Sequence, residues 1–352
     1  MDYLFFIFAA MKLFNTQDGN LLKKQMKADN TPRKTISFYK YCPIKNVAFF
    51  RNYLYHHLAL LAVKGRIYLS VEGINAQISI EIENEQQFTN FLNDIDFLKN
   101  IRLNSAIEDN GKSFFKLKIQ LRDKIVADGI TDPTFNPSNT GKYLNAQDFN
   151  TIIDQEDTIL IDMRNHYESE IGHFKNALLP NVDTFREPLP VIVESLLDKK
   201  DKKIVMYCTG GIRCEKASAY MKHQGFEQVY HLEGGIIEYK RQIENLSLPN
   251  KFLGKNFVFD ERLGERIGSE IIAQCHQCGN ACDTHTNCLN EACHLLFIQC
   301  KTCAAKYLRC CSDICAQVNT LPIEKQRALR KGKKIGQNIF KKGRAELPFM
   351  KK

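Results

Sequence analysis

The sequence predicts an α/β protein with two domains in which strands and helices alternate, followed by a cysteine-rich segment. Two observations lead to this prediction. Short apolar runs typical of strands alternate with helical patterns from residue 33 to about residue 250, and ten of the thirteen cysteines fall between Cys275 and Cys315. A chain of 352 residues is long enough for two or three domains with separate cores.

Residues 1–32 are predicted to be an N-terminal extension. Residues 4–14 are apolar but too short to span a bilayer, Asp2 stands where a signal peptide has basic residues, and no clear cleavage site follows. An upstream start-codon artefact is the alternative to an extension, and Met11 and Met26 are then the candidate starts of the protein. Since no other stretch could cross a membrane, the sequence predicts a cytoplasmic protein without a membrane partner.

The first domain, residues 33–130, is predicted to follow the order β-α-β-β-α-β, which is that of a ferredoxin-like (acylphosphatase-like) domain. Its strand segments are rich in β-branched and aromatic residues, and Glu72-Gly73-Ile74 provides a tight connection between two of them. The predicted elements are a strand at 35–41, a helix at 47–63, strands at 66–71 and 75–80, a helix at 85–97 and a strand at 114–121.

A linker is predicted at residues 131–144, because this stretch combines prolines, threonines and a glycine. The second domain, residues 145–250, contains short apolar strands with helices between them, a pattern typical of a parallel sheet covered on both faces. Folds of this kind place their sites at the carboxyl ends of the strands. The predicted strands lie at 158–161, 204–207 and 228–231.

A reactive cysteine is predicted in the loop Cys208-Thr209-Gly210-Gly211-Ile212-Arg213, which lies between a strand and a helix. Two glycines let several backbone N–H groups point at one sulfur, the helix N-terminus favours a thiolate, and Arg213 adds a permanent cation. A buried, inert cysteine is the alternative, but it would need neither the glycines nor the arginine. Four residues separate Cys208 from Arg213, one fewer than in cysteine phosphatases, so the ring suits a single sulfur or another small group. Cys208 and Arg213 are the candidate catalytic residues, and the candidate substrate-binding residues are Thr209, Gly210, Gly211 and Ile212.

The cysteine-rich segment, residues 251–320, contains the pairs Cys275-x-x-Cys278 and Cys300-x-x-Cys303. Two such pairs at this spacing are typical of a tetrahedral zinc site. A small segment with few large apolar residues also needs a cross-link, such as a bound metal ion, to fold. We predict a structural zinc ion on these four cysteines. A reduced and partly packed segment, disulfides, or an iron–sulfur cluster are the alternatives. Six further cysteines leave room for a second metal site: Cys282, Cys288, Cys293, Cys310, Cys311 and Cys315.

The last segment, residues 321–352, is a basic tail with eleven Lys or Arg against Glu324 and Glu346. The whole chain has a formal net charge of +9, which favours an anionic partner. Charge runs are usually solvated ends. The charge alone therefore does not predict a nucleic-acid partner.

Several motifs together resemble two known families. The Cys208 loop, Asp162-Met163-Arg164-Asn165 and Ile171-Gly172-His173-Phe174 resemble a rhodanese domain. The resemblance to the tRNA uridine hydroxylase family runs from about residue 30 to the basic tail. The segments that carry it are Glu72-Gly73-Ile74-Asn75, the Cys208 loop with Cys214-Glu215-Lys216, His231-Leu232-Glu233-Gly234-Gly235-Ile236, Phe257-Val258-Phe259-Asp260-Glu261-Arg262 and Cys293-His294-Leu295-Leu296-Phe297-Ile298-Gln299-Cys300.

This resemblance implies an enzyme that installs a hydroxyl on carbon 5 of the wobble uridine of tRNA, with molecular oxygen as co-substrate. The resemblance also implies that Cys208 is the active residue and carries a persulfide. The expected partners are therefore the anticodon loop of tRNA and a sulfur donor. The resemblance makes the basic tail a contributor to tRNA affinity. A thiosulfate-type sulfurtransferase that uses the same loop is the alternative function.

Four residues near the loop have less certain roles in the sequence. Asp162 and Arg164 are expected to brace the sheet edge rather than to react. Cys214 could form a disulfide with an oxidised Cys208 or point into the core, and the sequence favours neither. Lys216 is expected to be exposed.

Overall fold

A computed structural model describes residues 13–332 of the chain, and it confirms the predicted α/β class. Most of the apolar stretch at 4–14, the alternative start at Met11 and most of the basic tail lie outside these residues. Within residues 13–332, no helix combines the length and the apolar character that crossing a bilayer requires.

The first domain has the predicted β-α-β-β-α-β order, with one additional short strand at the sheet edge. The sheet order is β4-β1-β3-β2-β5; β5 runs parallel to β2, and the other pairings are antiparallel. The elements are α1 (Gly19–Ala28), β1 (Arg33–Tyr41), α2 (Val47–Leu60), β2 (Lys64–Ser70), β3 (Gly73–Glu81), α3 (Glu85–Asn93), β4 (Asn104–Ser105) and β5 (Leu117–Leu121), with 3-10 turns at Ile82–Asn84 and Asp96–Leu98.

Helices α2 and α3 cover only one face of this sheet. Leu54 and Leu58 of α2 and Phe88 of α3 pack on Ile67 and Ile78, which point toward the helices. Burial alternates along β2, as expected for a strand with one face in the core. The opposite face of the sheet is therefore left for contacts with other parts of the chain.

The second domain is built on a parallel sheet in the order β6-β10-β9-β7, which confirms the predicted parallel arrangement. Strand β6 lies inside the predicted linker, because Gly141 lets the chain approach β10 closely: a Cβ there would lie 2.7 Å from the carbonyl oxygen of Val229. The elements are β6 (Lys142–Leu144), α4 (Ala146–Ile152), β7 (Thr158–Asp162), α5 (His166–Ser169), β8 (Gly172–Phe174), α6 (Pro188–Ser195), β9 (Lys203–Tyr207), α7 (Ile212–His223), β10 (Gln228–Leu232) and α8 (Gly235–Asn245), with a 3-10 turn at Leu197–Lys199.

The cysteine-rich segment is joined to the second domain by strand pairing. Strand β11 pairs antiparallel with both β8 and β12, so the segment begins as part of a sheet that it shares with the second domain. The remaining elements are β11 (Phe252–Asn256), β12 (Glu265–Arg266), β13 (His285–Asn287), β14 (Leu296–Ile298), α9 (Lys301–Lys306), α10 (Asp313–Thr320) and α11 (Ile323–Arg330).

The Asp162–Arg164 pair occupies the bracing position that the sequence suggests. Both side chains are fully buried, and an Nη2 to Oδ2 distance of 2.6 Å joins them. The same Arg164 nitrogen donates to the carbonyl oxygen of Gly172 at 2.6 Å. The guanidinium therefore ties the end of β7 to the start of β8.

Breaking this buried pair should destabilise the protein much more than breaking an exposed one. Asp162→Ala leaves an uncompensated guanidinium in the interior and should lower the free energy of unfolding by about 3–5 kcal/mol. Asp154→Ala removes the partner of Lys251 at a site where the carboxylate is 70% exposed, and should cost about 0–1 kcal/mol. Urea denaturation of both variants measures the difference, and equal losses would contradict the bracing role.

Candidate active site

The predicted reactive cysteine lies at the carboxyl end of β9, which is flanked by β7 and β10 in the sheet. The loop turns directly into α7, and the Gly211 N–H donates to the Sγ of Cys208 at 3.2 Å. Gly211 has a φ of +97°, and a Cβ there would lie 2.8 Å from the hydroxyl oxygen of Tyr39. The close turn and the tyrosine above it explain why a glycine stands at this position.

The N-terminus of a second helix, α8, orients the peptide groups of the loop. The N–H groups of Ile236 and Ile237 donate to the carbonyl oxygens of Cys208 and Thr209, at 3.0 and 3.2 Å. Because a trans peptide points its C=O and N–H in opposite directions, the next N–H groups face away from α8 and into the loop. Gly235 permits this approach, since a Cβ there would lie 2.5 Å from the Cys208 oxygen.

The surroundings of Cys208 favour its ionised form. Burial raises the pKa of the thiol, but hydrogen bonding to the Cys214 thiol, the Arg213 charge and the amides of Cys214 and Gly211 outweigh it and lower the pKa to about 6. For Cys214, burial and the adjacent Cys208 raise the pKa well above its ordinary value. Cys214 therefore packs in the core and also contacts Cys208, as a thiol beside a thiolate.

Arg213 is held by a carboxylate that the sequence analysis did not identify. Its guanidinium donates to both carboxylate oxygens of Glu168, at 2.6 and 2.8 Å, and Glu168 is fully buried. Glu168 also accepts from the backbone N–H of Asn165 at 3.0 Å, so it closes the first turn of α5. The spacing Asn165-x-x-Glu168 signals such a capping box, but nothing in it indicates the contact with Arg213.

The loop forms the floor of a cavity of about 570 Å³. Thr209, Gly210 and Ile212 line it, whereas Gly211 lies beneath Tyr39 and does not. A Cβ built on Gly210 would meet no atom within 4 Å, so there is open space above the loop. Cys208 also lines the cavity but exposes no surface, so a substrate must displace part of its cover to reach the sulfur.

Other parts of the chain form the walls of this cavity, and residues 183–186 of the second domain contribute to them. One wall is the open face of the first sheet, and another belongs to the stretch that follows β11. The guanidinium of Arg213 lies 6.0 Å from the ring of Phe259 in that stretch. The side chains from the sheet are Tyr39, Arg66, Tyr68, Asn75 and Gln77, and those from the stretch after β11 include Val258, Phe259, Asp260, Arg262 and Glu265.

Lys216 joins the first domain to the active-site helix, and the expectation that it is exposed is wrong. Its side chain is 2% exposed, and its Nζ lies 2.7 Å from a Glu72 oxygen and 2.5 Å from an Asp128 oxygen. A lysine is buried only when it is paired, and both partners come from outside the second domain. Tyr41 adds a hydrogen bond of 3.1 Å to the carbonyl oxygen of Ile212.

Basic side chains gather on the open face of the first sheet next to the cavity. Arg66 on β2 is the direct neighbour of Lys118 on β5. Desolvation, together with Arg66, Lys116 and Arg122, lowers the pKa of Lys118. Like charges in neighbouring positions of a sheet are destabilising, so this cluster favours an anionic ligand.

The four cysteines predicted to bind zinc come together in the structure. The Sγ atoms of Cys275, Cys278, Cys300 and Cys303 all lie within 4.8 Å of one another, and 3.7 Å separates those of Cys278 and Cys300. Zn–S bonds of about 2.3 Å in a tetrahedron place two sulfurs roughly 3.8 Å apart. The backbone N–H of Cys300 donates to the Cys275 sulfur at 3.3 Å. These residues could therefore hold one metal ion.

Three family models match successive parts of the chain. The UPF0176 acylphosphatase like domain matches residues 33–125, the Rhodanese-like domain matches residues 145–242, and the Rhodanase C-terminal model matches residues 253–316. The cavity described above is lined by residues from all three matched regions.

The chain is also similar to proteins of known name. The tRNA uridine(34) hydroxylase of Photorhabdus laumondii is 56% identical over 336 residues, which cover 95% of this chain and 96% of that protein. The protein of the same name from Pectobacterium atrosepticum is 57% identical over 336 residues, with 95% of both chains covered. A solved rhodanese-like domain protein from Staphylococcus aureus matches with 23% identity and a TM-score of 0.23, over 28% of this chain and 90% of that one.

Alkylation of Cys208 should follow an unusually low pKa. Only the thiolate reacts, so the rate with iodoacetamide should rise through a midpoint near pH 6. Cover by Tyr39 slows the reaction equally at every pH and leaves the midpoint unchanged. Mass spectrometry of the Cys208 peptide gives the rate, with Cys42 as internal control because burial raises its pKa above the ordinary value. A Cys208 midpoint above pH 8 would contradict the thiolate assignment.

Proposed function

Because the chain belongs to the tRNA uridine(34) hydroxylase family, we propose that it hydroxylates carbon 5 of uridine 34 in tRNA. The product is 5-hydroxyuridine, molecular oxygen is the co-substrate, and the enzyme is an oxidoreductase. The observation that carries the proposal is an ionised Cys208 on the floor of a cavity of about 570 Å³. Small-molecule sites typically enclose about 300–1,000 Å³.

The substrate base reaches Cys208 by leaving the stack of the anticodon loop. Bases in such loops are single-stranded and can be splayed out at a cost of a few kcal/mol. The cavity offers rings and amides to a uracil. Tyr39 and Tyr68 supply aromatic surfaces, and Asn75 and Gln77 supply groups that can both donate and accept hydrogen bonds.

The tRNA backbone lies across the open face of the first sheet. Arg66 lines the cavity, and Lys118 is its direct neighbour on β5, so phosphates beside the flipped base meet two cations. Arg122 extends this basic surface and lies 5.4 Å from the ring of Tyr68. A sheet face that combines aromatic, amide and basic side chains is also how common RNA-binding domains hold single strands.

The chemistry begins with addition of the Cys208 thiolate to carbon 6 of the uracil. A sulfur–carbon bond forms, the C5–C6 π electrons move toward oxygen 4, and carbon 5 becomes nucleophilic. The loop N–H groups and the Arg213 charge favour the thiolate before attack. Glu168 fixes Arg213 in place, so Arg213 acts as a positioning and charge-supplying residue in this proposal.

Hydroxylation requires two electrons and two protons besides O₂. One oxygen atom replaces the hydrogen on carbon 5, and the other leaves as water. Cys208 leaves carbon 6 as carbon 5 loses its proton, and the oxidation of Cys208 and Cys214, which are in hydrogen-bond contact, to one disulfide then supplies both electrons. One proton comes from the Cys214 thiol, and the solvent returns the proton that Cys208 released when its thiolate formed. Uridine, O₂ and two thiols thus give 5-hydroxyuridine, water and a disulfide, which an external thiol reduces for the next turnover.

The first cysteine group, Cys275, Cys278, Cys300 and Cys303, holds a structural zinc ion in this proposal. The sulfur spacing fits one tetrahedral ion. None of the thirteen cysteines, all of which lie among the described residues, forms a disulfide, which agrees with a reducing compartment. We therefore place the enzyme in the cytoplasm, where its tRNA substrate is found.

Cys208→Ala should abolish formation of 5-hydroxyuridine. Purified enzyme, tRNA from a strain that lacks the gene, O₂ and a thiol reductant are incubated, and the nucleosides are analysed by mass spectrometry. Cys214→Ser should lower the rate of turnover, because the external thiol must then take the place of Cys214 in the disulfide. Cys42→Ser, a cysteine outside the cavity, should retain full activity.

Other outcomes separate this proposal from its alternatives. Full activity of Cys208→Ala would exclude covalent catalysis by this sulfur. Loss of thiolated bases in the deletion strain, with 5-hydroxyuridine retained, would favour a sulfurtransferase that loads Cys208 with a persulfide from a sulfur donor.

Removing a charge from the open sheet face should weaken tRNA binding. Lys118→Ala should raise the Kd for tRNA several-fold and reduce the slope of log K against log salt by about 0.7–0.9, because one phosphate contact is lost. Lys99→Ala removes an exposed lysine that follows Leu98, which packs in the core on the helix side of the sheet, and should leave the Kd unchanged. Binding titrations at several salt concentrations measure both, and equal effects would contradict the proposed surface.

A further inference from the structure

We propose that the cysteine-rich segment binds a second zinc ion through Cys288, Cys293, Cys311 and Cys315. These are four of the six cysteines of this segment that do not belong to the first group. Their Sγ atoms also lie within 4.8 Å of one another, and all four side chains are buried or half-buried. The site lies outside the catalytic cavity.

The distances between the sulfurs fit ligands of a single ion. The Sγ of Cys311 lies 3.7 Å from that of Cys293 and 3.7 Å from that of Cys315. Tetrahedral thiolates on zinc are roughly 3.8 Å apart, whereas a disulfide would place two sulfurs about 2.05 Å apart. Four sulfurs this close leave no room for several iron atoms between them. The geometry therefore favours one tetrahedral ion over an iron–sulfur cluster.

Polar groups around this second group are arranged to stabilise thiolates. The backbone N–H of Cys311 donates to the Cys288 sulfur at 3.5 Å, and the side-chain amide of Asn290 donates to the Cys315 sulfur at 3.4 Å. Hydrogen bonds of this kind orient metal ligands and reduce their charge. Cys310 packs beside the group but is not among the four sulfurs that lie within 4.8 Å of one another, and its thiol donates to the carbonyl oxygen of Leu308 at 3.6 Å.

The two groups alternate along the chain. The pair at 275 and 278 belongs to the first group, the pair at 288 and 293 to the second, the pair at 300 and 303 to the first, and the pair at 311 and 315 to the second. Each ion therefore closes a loop that contains ligands of the other. The apolar cluster around the second group has only Leu295 and Phe297 as large members. A core this small depends on metal binding to fold.

The interlocked segment contacts α5, where Tyr167 packs in one buried cluster with Cys275 and Cys303. His276, which follows the first ligand Cys275, lies 2.7 Å from an oxygen of Glu170. Glu170 is the residue directly after α5, the helix that carries Glu168. The first group therefore lies next to a contact with the helix that positions Arg213, and the second group is connected to it through the alternating ligand pairs.

Metal content of the full-length protein tests this inference without reference to activity. Native mass spectrometry of protein expressed with zinc should show about two zinc ions per chain, which are lost on denaturation in acid. Cys293→Ser should retain about one ion or fewer, whereas Cys282→Ala should retain about two, because Cys282 lies in the same segment but in neither group. About one ion in the unmodified protein would overturn the proposal.

A second measurement decides the matter if the Cys293 variant fails to fold. The unmodified protein is denatured without reductant in the presence of a chelator and excess iodoacetamide. Alkylation of all thirteen cysteines agrees with metal-bound thiolates. A disulfide among Cys288, Cys293, Cys311 and Cys315 would overturn the second site. Loss of hydroxylase activity alone would not affect either result, so the metal proposal and the proposed function fail separately.

Discussion

The need to hold a charged sulfur in a dry interior explains most of the architecture around Cys208. An unpaired ionised group cannot be buried unless hydrogen bonds and nearby charges replace water. Here the Gly211 N–H bonds the sulfur, and the N-terminus of α8 binds the loop carbonyls and so turns the loop amides inward. Arg213 supplies the charge, but a buried cation is itself costly, and Glu168 compensates it. Gly211 and Gly235 follow from the same constraint, because each lets another group approach the loop closely.

The three parts of the chain act as one catalytic unit rather than as separate modules. The first sheet leaves one face without helices, and that face becomes a wall of the cavity. Lys216 holds the two domains together through Glu72 and Asp128 in a buried network, and the stretch after β11 supplies another wall. A rhodanese-type loop alone would offer a reactive sulfur to a small sulfur compound. In the proposed function, the additional walls convert it into a site that encloses a base and faces a basic surface for RNA.

Local patterns predicted the parts of this arrangement that depend on neighbours in sequence. The Cys208 loop was predicted because a strand, two glycines and an arginine stand within ten residues, and the parallel sheet because its strands are short and apolar. Glu168, Tyr39 and the burial of Lys216 could not be predicted in this way, since their partners lie 45 or more positions away and only the tertiary fold brings them together. The orientation of the Cys214 side chain could not be predicted either, because it depends on how α7 packs in the core. The spacing of Cys275, Cys278, Cys300 and Cys303 predicted the first cysteine group. The ligands of the second group could not be assigned, because only the tertiary fold determines which of the remaining six cysteines of the segment come together.

The proposed reaction depends on addition of the Cys208 thiolate to carbon 6 of uridine 34, which makes carbon 5 nucleophilic. Incubation of tRNA with the enzyme in D₂O without O₂ tests this step, because the stalled intermediate takes a deuteron at carbon 5, then loses the original carbon-5 proton and releases the sulfur as the C5–C6 double bond is restored. The account predicts that uridine 34 exchanges its carbon-5 hydrogen for deuterium with the unmodified enzyme and not with Cys208→Ala. Absence of exchange in a preparation that hydroxylates uridine 34 once O₂ is admitted would contradict it.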